Sequence, residues 1–310
     1  MTARGCTPIS PSMSSRIQQR QGSILLVFGV SLTLLLGVSA LVMDMGRVYW
    51  TKLKMQSAAD AAALAATQEL ALTSPTYTPD VVPIVQEFAT LNAADSVEIP
   101  YLDLEARGIV VGVSREIPSI FAKLIGVESF VVEATSAAGA FGVGKTGGLI
   151  PIAVQDSHGL ENGWVESETV VTIFDDAPEG SGTFGWVDYN GGSSSAVDLA
   201  YSIRNPDSSG AWEIGDLVLG ATGISVANDV RAAVDEWENL HFTVPLYQQT
   251  TLQGSGMYYV ISGFGEFQLL DAQLTGNPKQ LTGLFIRFVK PGAMPGGRAA
   301  SKLSALALTQ

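Results

Sequence analysis

Gly139, four further residues, and then Gly144-Lys145-Thr146 fit the glycine-rich phosphate loop letter for letter. Further on, VVTIFDD (170–176) reads as an apolar strand ending in Asp175 and Asp176, where such a site would hold magnesium. The chemistry needs more than the letters. Phosphate is held by glycine-rich backbone amides and by the first turn of a helix that begins directly after the loop. Here Thr146 is followed by Gly147-Gly148-Leu149-Ile150-Pro151, and two glycines and a proline do not start a helix. The glycines of 142–149 read instead as a link between two domains, and nucleotide binding is not expected.

Other constellations are equally thin. Asp175 with Asp176, or Glu166 with Glu168, have the residue types of a hydrolase pair. The solvated surface of an acidic domain uses the same residues. His158 and His241 stand near Ser157 and Thr243, but no G-x-S-x-G elbow accompanies them. Cys6 is the only cysteine, so no intrachain disulfide forms, and one Cys with two distant His makes no zinc site. NPDSSGAWEIGD (205–216) places Asn205, Asp207, Ser209, Glu213 and Asp216 at positions 1, 3, 5, 9 and 12 around Gly210, as a calcium loop does. Asn opens it, Asp replaces the bidentate Glu, and turns use the same residues. These five are weak calcium candidates; no catalytic residue and no cofactor is assigned.

The elements say more. Arg4, Arg16 and Arg20 give residues 1–22 a charge of +3 against −13 for the whole, so the remainder carries −16. An acidic body repels phosphate backbones, which argues against nucleic acid as a partner. Residues 23–43, SILLVFGVSLTLLLGVSALVM, contain no charge. As a helix they span roughly 30 Å, the thickness of a bilayer's hydrocarbon core. Val38-Ser39-Ala40 would suit a signal-peptide cleavage site. The apolar run is longer than a signal core, however, and passes unbroken into a further helical pattern. A transmembrane helix is therefore expected, with residues 1–22 in the cytoplasm and the acidic body outside it. Within the span Gly29, Thr33 and Gly37 recur every four residues, a small-residue stripe against which a second helix can pack. Asp44 and Arg47 lie one turn apart just beyond the lipid and are expected to pair.

From 44 to 72 the chain is rich in Ala, Leu, Met, Gln and Lys and has no proline. These residues should carry the helix on as a stalk. Val48, Met55, Ala59, Ala62 and Ala66 form a narrow apolar face, and SPTYTP (74–79) should end it. Gly22 before the apolar helix, Asp44-x-Gly46-Arg47 after it, and Gln56-x-Ala58-Ala59-Asp60-Ala61-Ala62-Ala63-Leu64-Ala65 resemble the N-terminal region of the TadE/TadG-like proteins of tight-adherence (Flp-type) pilus assembly. Position 27 is Val where prepilin-like members carry Glu, so the resemblance does not extend to processing after Gly22. The Asp-x-Ser-x-Ser run of a von Willebrand A domain, common in long members, is also missing; Asp156-Ser157-His158-Gly159 does not fit it.

Beyond the stalk, 80–92 reads as a short helix, 97–118 as a hairpin around Ala106-Arg107-Gly108, 118–126 as a short helix, and 128–138 as a strand. From 150 onward short runs rich in β-branched and aromatic residues predict strands, VDLAYSIR (197–204) among them. One helix is expected over 225–240, capped by Ser225, with Val226, Val230, Ala233, Val234 and Trp237 on its apolar stripe. The expected fold is a membrane-anchored α+β chain. A transmembrane and stalk helix carries a small pilin-like antiparallel sheet (44–141), followed by a β-rich domain with one packed helix (150–310), a sandwich or open barrel. The resemblance implies a non-enzymatic structural or assembly component in the bacterial inner membrane. Its partners would be the lipid bilayer, other pilus or envelope proteins, and a second copy through the membrane helix. The alternative is an anchored extracytoplasmic module that binds glycan or calcium.

Overall fold

A computed structural model describes residues 14–73, 79–156, 170–174, 184–191, 195–221, 227–253, 256–276, 279–297 and 303–309, with side chains from residue 24 onward. Arg4, Cys6, Ser157 to Gly159, Glu166, Glu168, Asp175, Asp176, Ser225 and Val226 lie outside these residues. So do the side chains of Arg16 and Arg20.

Helix α1 runs from Ser14 to Leu72, 59 residues without a break. The apolar run and the stalk are one rod, as the absence of proline predicts. Residues 24–39 are exposed throughout, and this is a helix long and apolar enough to cross a membrane. The second half is different. Met55, Ala58, Ala59, Ala62, Ala63 and Ala66 have no exposure and form the floor of a core. Short side chains let the helix lie close against a sheet.

Helix α2 (Val82–Leu91) is followed by β1 (Ser96–Asp103), β2 (Gly108–Pro118) and β3 (Ser129–Gly147). Next come β4 (Ile152–Gln155), β5 (Val171–Phe174), β6 (Phe184–Asp188), α3 (Ala196–Arg204), β7 (Ala211–Glu213) and β8 (Leu217–Gly220). Helix α4 (Asn228–Asp235), β9 (His241–Gln253), β10 (Gly256–Gln273), β11 (Gln280–Ile286), β12 (Phe288–Val289), β13 (Met294–Gly297) and β14 (Leu303–Thr309) complete the order.

The first sheet runs β1-β2-β3-β14-β12, with β7 and β13 also pairing on β3. The β1–β2 hairpin turns at Arg107, in the left-handed region at φ 52°. Strand β3 is longer than the 128–138 expected from sequence. It continues through the glycine-rich stretch 142–147, because two further strands pair there: Lys145 opposes Glu213 of β7, and Val143 opposes Pro295 of β13. Those residues are sheet, not a free link. Strand β14 returns from the C-terminal end to pair antiparallel with β3, so segments distant in the chain build this sheet.

The second sheet runs β5-β11-β10-β8-β6-β4-β9, and β9 pairs with β10 as well. Strands β4, β6, β8, β10 and β9 thereby close into a ring, with β9 parallel to β4 and antiparallel to β10. Of the two expected architectures this is the barrel, and it is closed. Its Tyr247, Tyr259, Ile261 and Phe264 belong to a buried cluster that also contains Val143, Leu303 and Ala305 of the first sheet.

Helices α3 and α4 pack together over a larger cluster containing Phe242, Phe267 and Phe285. A helix was expected here over 225–240 capped by Ser225, but α4 is shorter and its N-cap position is Ala227, with no side-chain cap; α3 replaces the strand predicted over VDLAYSIR. Ser195 caps it in a reciprocal box with Asp198, and Leu199, Ala200 and Ile203 are buried on one face. Alternating hydrophobicity over this short run fits a strand as well, and the cap decides.

Candidate functional site

Two places carry polar groups that the fold positions with care. The first joins α1 to the sheet. Asp44 is only 2% exposed although it directly follows the apolar run. Its carboxylate accepts the backbone N–H groups of Ile120 (3.1 Å), Phe121 (2.9 Å) and Ala122 (2.7 Å). These open the turn between β2 and β3, which forms a single 3-10 helix over Ala122–Ile125 and ends on Gly126 at φ 92°. Arg47 does not pair with Asp44 as expected. It reaches the same turn instead, donating to the Pro118 carbonyl at 2.9 Å. Desolvation pushes the Asp44 carboxyl up, but the three N–H donors, helped by the Arg47 charge, outweigh it and hold it below the usual carboxylate range.

The contacts continue along the rod. Lys52 donates to the Glu133 carbonyl, and Gln56 bonds both Asp60 within its helix (2.9 Å) and the Thr135 carbonyl of β3 (3.3 Å). Ala58, Ala59 and Ala62 lie flat on the sheet core, with Leu64 packed at its edge. Gly46 has open space around it, and the fold offers no packing reason for a glycine there. Gly29, Thr33 and Gly37 line a shallow apolar groove on the exposed half of α1, beside Leu26, Val30 and Leu34. The Thr33 hydroxyl is spent inside the helix, donating to the Gly29 carbonyl at 2.9 Å.

The second place is a cleft of about 750 Å³ where the two sheets meet. Register places His241 and Thr243 of β9 two apart on one face, with Glu266 of β10 opposite Thr243. Glu266 is buried and bonded on both oxygens, by His241 Nδ1 at 2.5 Å and Thr243 Oγ1 at 2.7 Å. Lys290 donates to Thr243 Oγ1 at 2.7 Å, and Phe288 lies against the His241 ring at 5.0 Å. Thr243 is no nucleophile: it is 1% exposed and its hydroxyl is engaged on both sides. What remains open is a rim of His241, Lys290, Asp207 and Trp237. Such a rim can hold a polar ligand. Sequence reading singled out His241 and Thr243 but missed Glu266 and Lys290. The available signal was a lone carboxylate inside the apolar run GFGEFQLL, which had to find donors.

The remaining predicted residues disperse. Lys145 of the phosphate-loop pattern forms an exposed ion pair with Glu213 at 3.4 Å, and Thr146 is buried in β3. No helix starts directly after Thr146; the chain runs on through Gly147 of β3 to β4, so this segment lacks the helix start that a phosphate loop uses. Of the calcium candidates, Asn205 ends α3 with its amide on the Tyr201 carbonyl, and the Ser209 hydroxyl accepts the Leu149 N–H. The Asp216 carboxylate accepts the Glu213 N–H, Glu213 faces Lys145, and Asp207 looks into the cleft. Among the described residues no three His, Cys, Asp or Glu side chains group as metal ligands.

Residues 22–69 match the family model described as "Putative Flp pilus-assembly TadE/G-like". The match covers Gly22, Asp44, Arg47, Gln56 and the alanine block, the positions on which the resemblance was read. It points to a role related to Flp pilus assembly, and so to contacts with other pilus or envelope proteins. No curated protein and no solved structure matches the chain.

Proposed function

We propose that this chain is a non-enzymatic, membrane-anchored component of a tight-adherence pilus-assembly apparatus. It crosses the bacterial inner membrane once through residues 23–43, with residues 1–22 in the cytoplasm and both sheets outside it. The observation that supports this reading is the use made of the matched segment. Asp44 bonds the β2–β3 turn, Arg47 the end of β2 and Gln56 strand β3, and the alanines seat the helix on the sheet. The family's own residues thus weld an apolar rod to a rigid extracytoplasmic body. A welded rod transmits position and force; it performs no reaction. Isolation of the full-length chain from its native membranes in mild detergent tests the proposal. Pilus secretion subunits should accompany it, and their consistent absence would overturn the assignment.

The cleft between the sheets favours a second reading, an anchored module for a polar ligand such as a glycan. Asp207, His241 and Lys290 supply polar contacts and Trp237 an apolar face at one opening. Isothermal titration of the full chain in detergent with cell-wall sugars, and separately with calcium, distinguishes the two. Saturable binding that is lost on Lys290→Ala would favour the module.

A further inference from the structure

The turn between β2 and β3 leaves its apolar side chains in the open. Leu124 is 86% exposed and Ile125 81%, with Ile120 at 55%. The charged residues of the turn are Lys123 and Glu128. None of the described residues covers them, yet the turn is not loose: three N–H groups bind Asp44, and the Ser119 hydroxyl bonds the carbonyls of Val127 and Glu128. A rigid turn that presents isoleucine and leucine outward has a surface to meet.

Its position along the rod identifies that surface. Contacts between α1 and the β2–β3 hairpin run in one direction. Arg107 meets the Ala71 carbonyl, Gln56 meets Thr135, Lys52 meets Glu133, Arg47 meets Pro118, and Asp44 meets 120–122. From Gln56 back to Asp44 the helix falls about 18 Å. From Thr135 back to Ser129 the strand falls about 20 Å. Helix and hairpin therefore descend together, and the turn is the end of the hairpin nearest residue 43, where the uncharged run stops. Helical side chains lean toward the N-terminus, so the Asp44 carboxylate carries the turn still farther that way. Met43 and Met45 are exposed at the same level, and Tyr49 and Trp50 within two turns above it. Tyr and Trp are the residues that settle at the membrane–water interface.

We infer that the β2–β3 turn is a second membrane contact, inserting Ile120, Leu124 and Ile125 into the interface of the leaflet that faces the sheets. The inference rests on the anchoring proposed above. A helix alone leaves the body free to tilt and to rotate about the rod. A second apolar contact, locked to Asp44, fixes which side of α1 lies down on the lipid and which side stays open to neighbouring subunits.

The test uses the full chain in phospholipid vesicles, with Cys6→Ser and one cysteine at a time carrying an environment-sensitive fluorophore. Leu124→Cys and Ile125→Cys report the turn, Val27→Cys reports the anchor, and Leu252→Cys, exposed on β9, reports the water side. Labels at 124 and 125 should be quenched by lipids carrying a shallow nitroxide and be severalfold less sensitive to aqueous iodide than the label at 252. If the label at 27 meets lipid while those at 124 and 125 meet iodide, the second contact is wrong and the anchor stands. Shielding of 124 and 125 from both quenchers would assign the turn to a protein partner and equally overturn the inference. If the label at 27 avoids lipid, the anchoring itself fails and this inference with it.

Discussion

A carboxylate taken out of water needs donors in place of the water, and three backbone amides at Asp44 supply them. Its titration follows from that geometry. The folded-state value lies below the unfolded one, near 3.9. The stability it contributes is therefore whole above that value and is lost as pH falls through the lower, folded-state value. Asp44→Asn should lower the melting temperature of the full chain in detergent at neutral pH, and the gap from the parent should close below about pH 4. A gap that stays constant through pH 3 would mean the charge is not what holds the turn. At Gly144 the constraint is space. A Cβ there would lie 2.8 Å from the Gly296 backbone of β13, which cannot swing aside as a side chain can. Gly144→Ala should cost about 1–3 kcal/mol in urea unfolding. Lys145→Ala, next to it, should cost less than about 1 kcal/mol, because its pair with Glu213 is solvated. The reverse order of costs would restore a purpose to the lysine that this strand does not give it.

Strand β14 shows what an element adds beyond its length. It brings the C-terminal end back to pair with β3, and Leu303 and Ala305 have no exposure beneath the barrel's Phe264 and Tyr259. Leu303→Ala should destabilise the chain by about 2–5 kcal/mol in urea unfolding, a cost set by the cavity left between the sheets. A loss under about 1 kcal/mol would mean the two sheets hardly depend on each other. This strand also marks the limit of what the sequence discloses. The helix over 23–72 was legible because its signals are local: no proline, strong helix formers, and a long uncharged run; its start at Ser14 was not. The β1–β2 hairpin and the 3-10 turn closed by Gly126 were legible for the same reason. Pairings between distant segments were not. Nothing local tells LSALALT that its partner lies more than 160 residues earlier, or 142–147 that two strands will flank it and make a strand of apparent linker glycines. The cleft was half legible. His241 and Thr243 share an alternating face, but Glu266 joins them only once β9 and β10 pair.

At the scale of the whole molecule the chain has two unlike halves of one rod. Beyond residue 43 the rod's small residues are consumed by its own sheet, with Ala58, Ala59 and Ala62 fully covered. Before it, the small residues Gly29 and Gly37 have nothing within reach of an added Cβ. The same device, backbone brought close by short side chains, is thus used once inside the chain and left unused once in the span. In lipid the hydrophobic effect gives helices no reason to associate, so the close approach that glycines permit becomes a main source of attraction. Thr33 cannot add an easy bond across the contact, since its hydroxyl already serves Gly29. On the proposed anchoring, packing at the two glycines would supply any association of this helix with a second copy or another protein. Full-length chains carrying donor and acceptor fluorophores on the β-sheet body, mixed in vesicles at fixed protein-to-lipid ratio, give the measurement. If copies associate, the double substitution Gly29→Leu and Gly37→Leu should abolish energy transfer while leaving the melting temperature of the sheets unchanged, because neither position touches them. Transfer that persists in the double variant would place the contact on the sheets instead, and the groove would be only the ordinary surface of a lipid-facing helix.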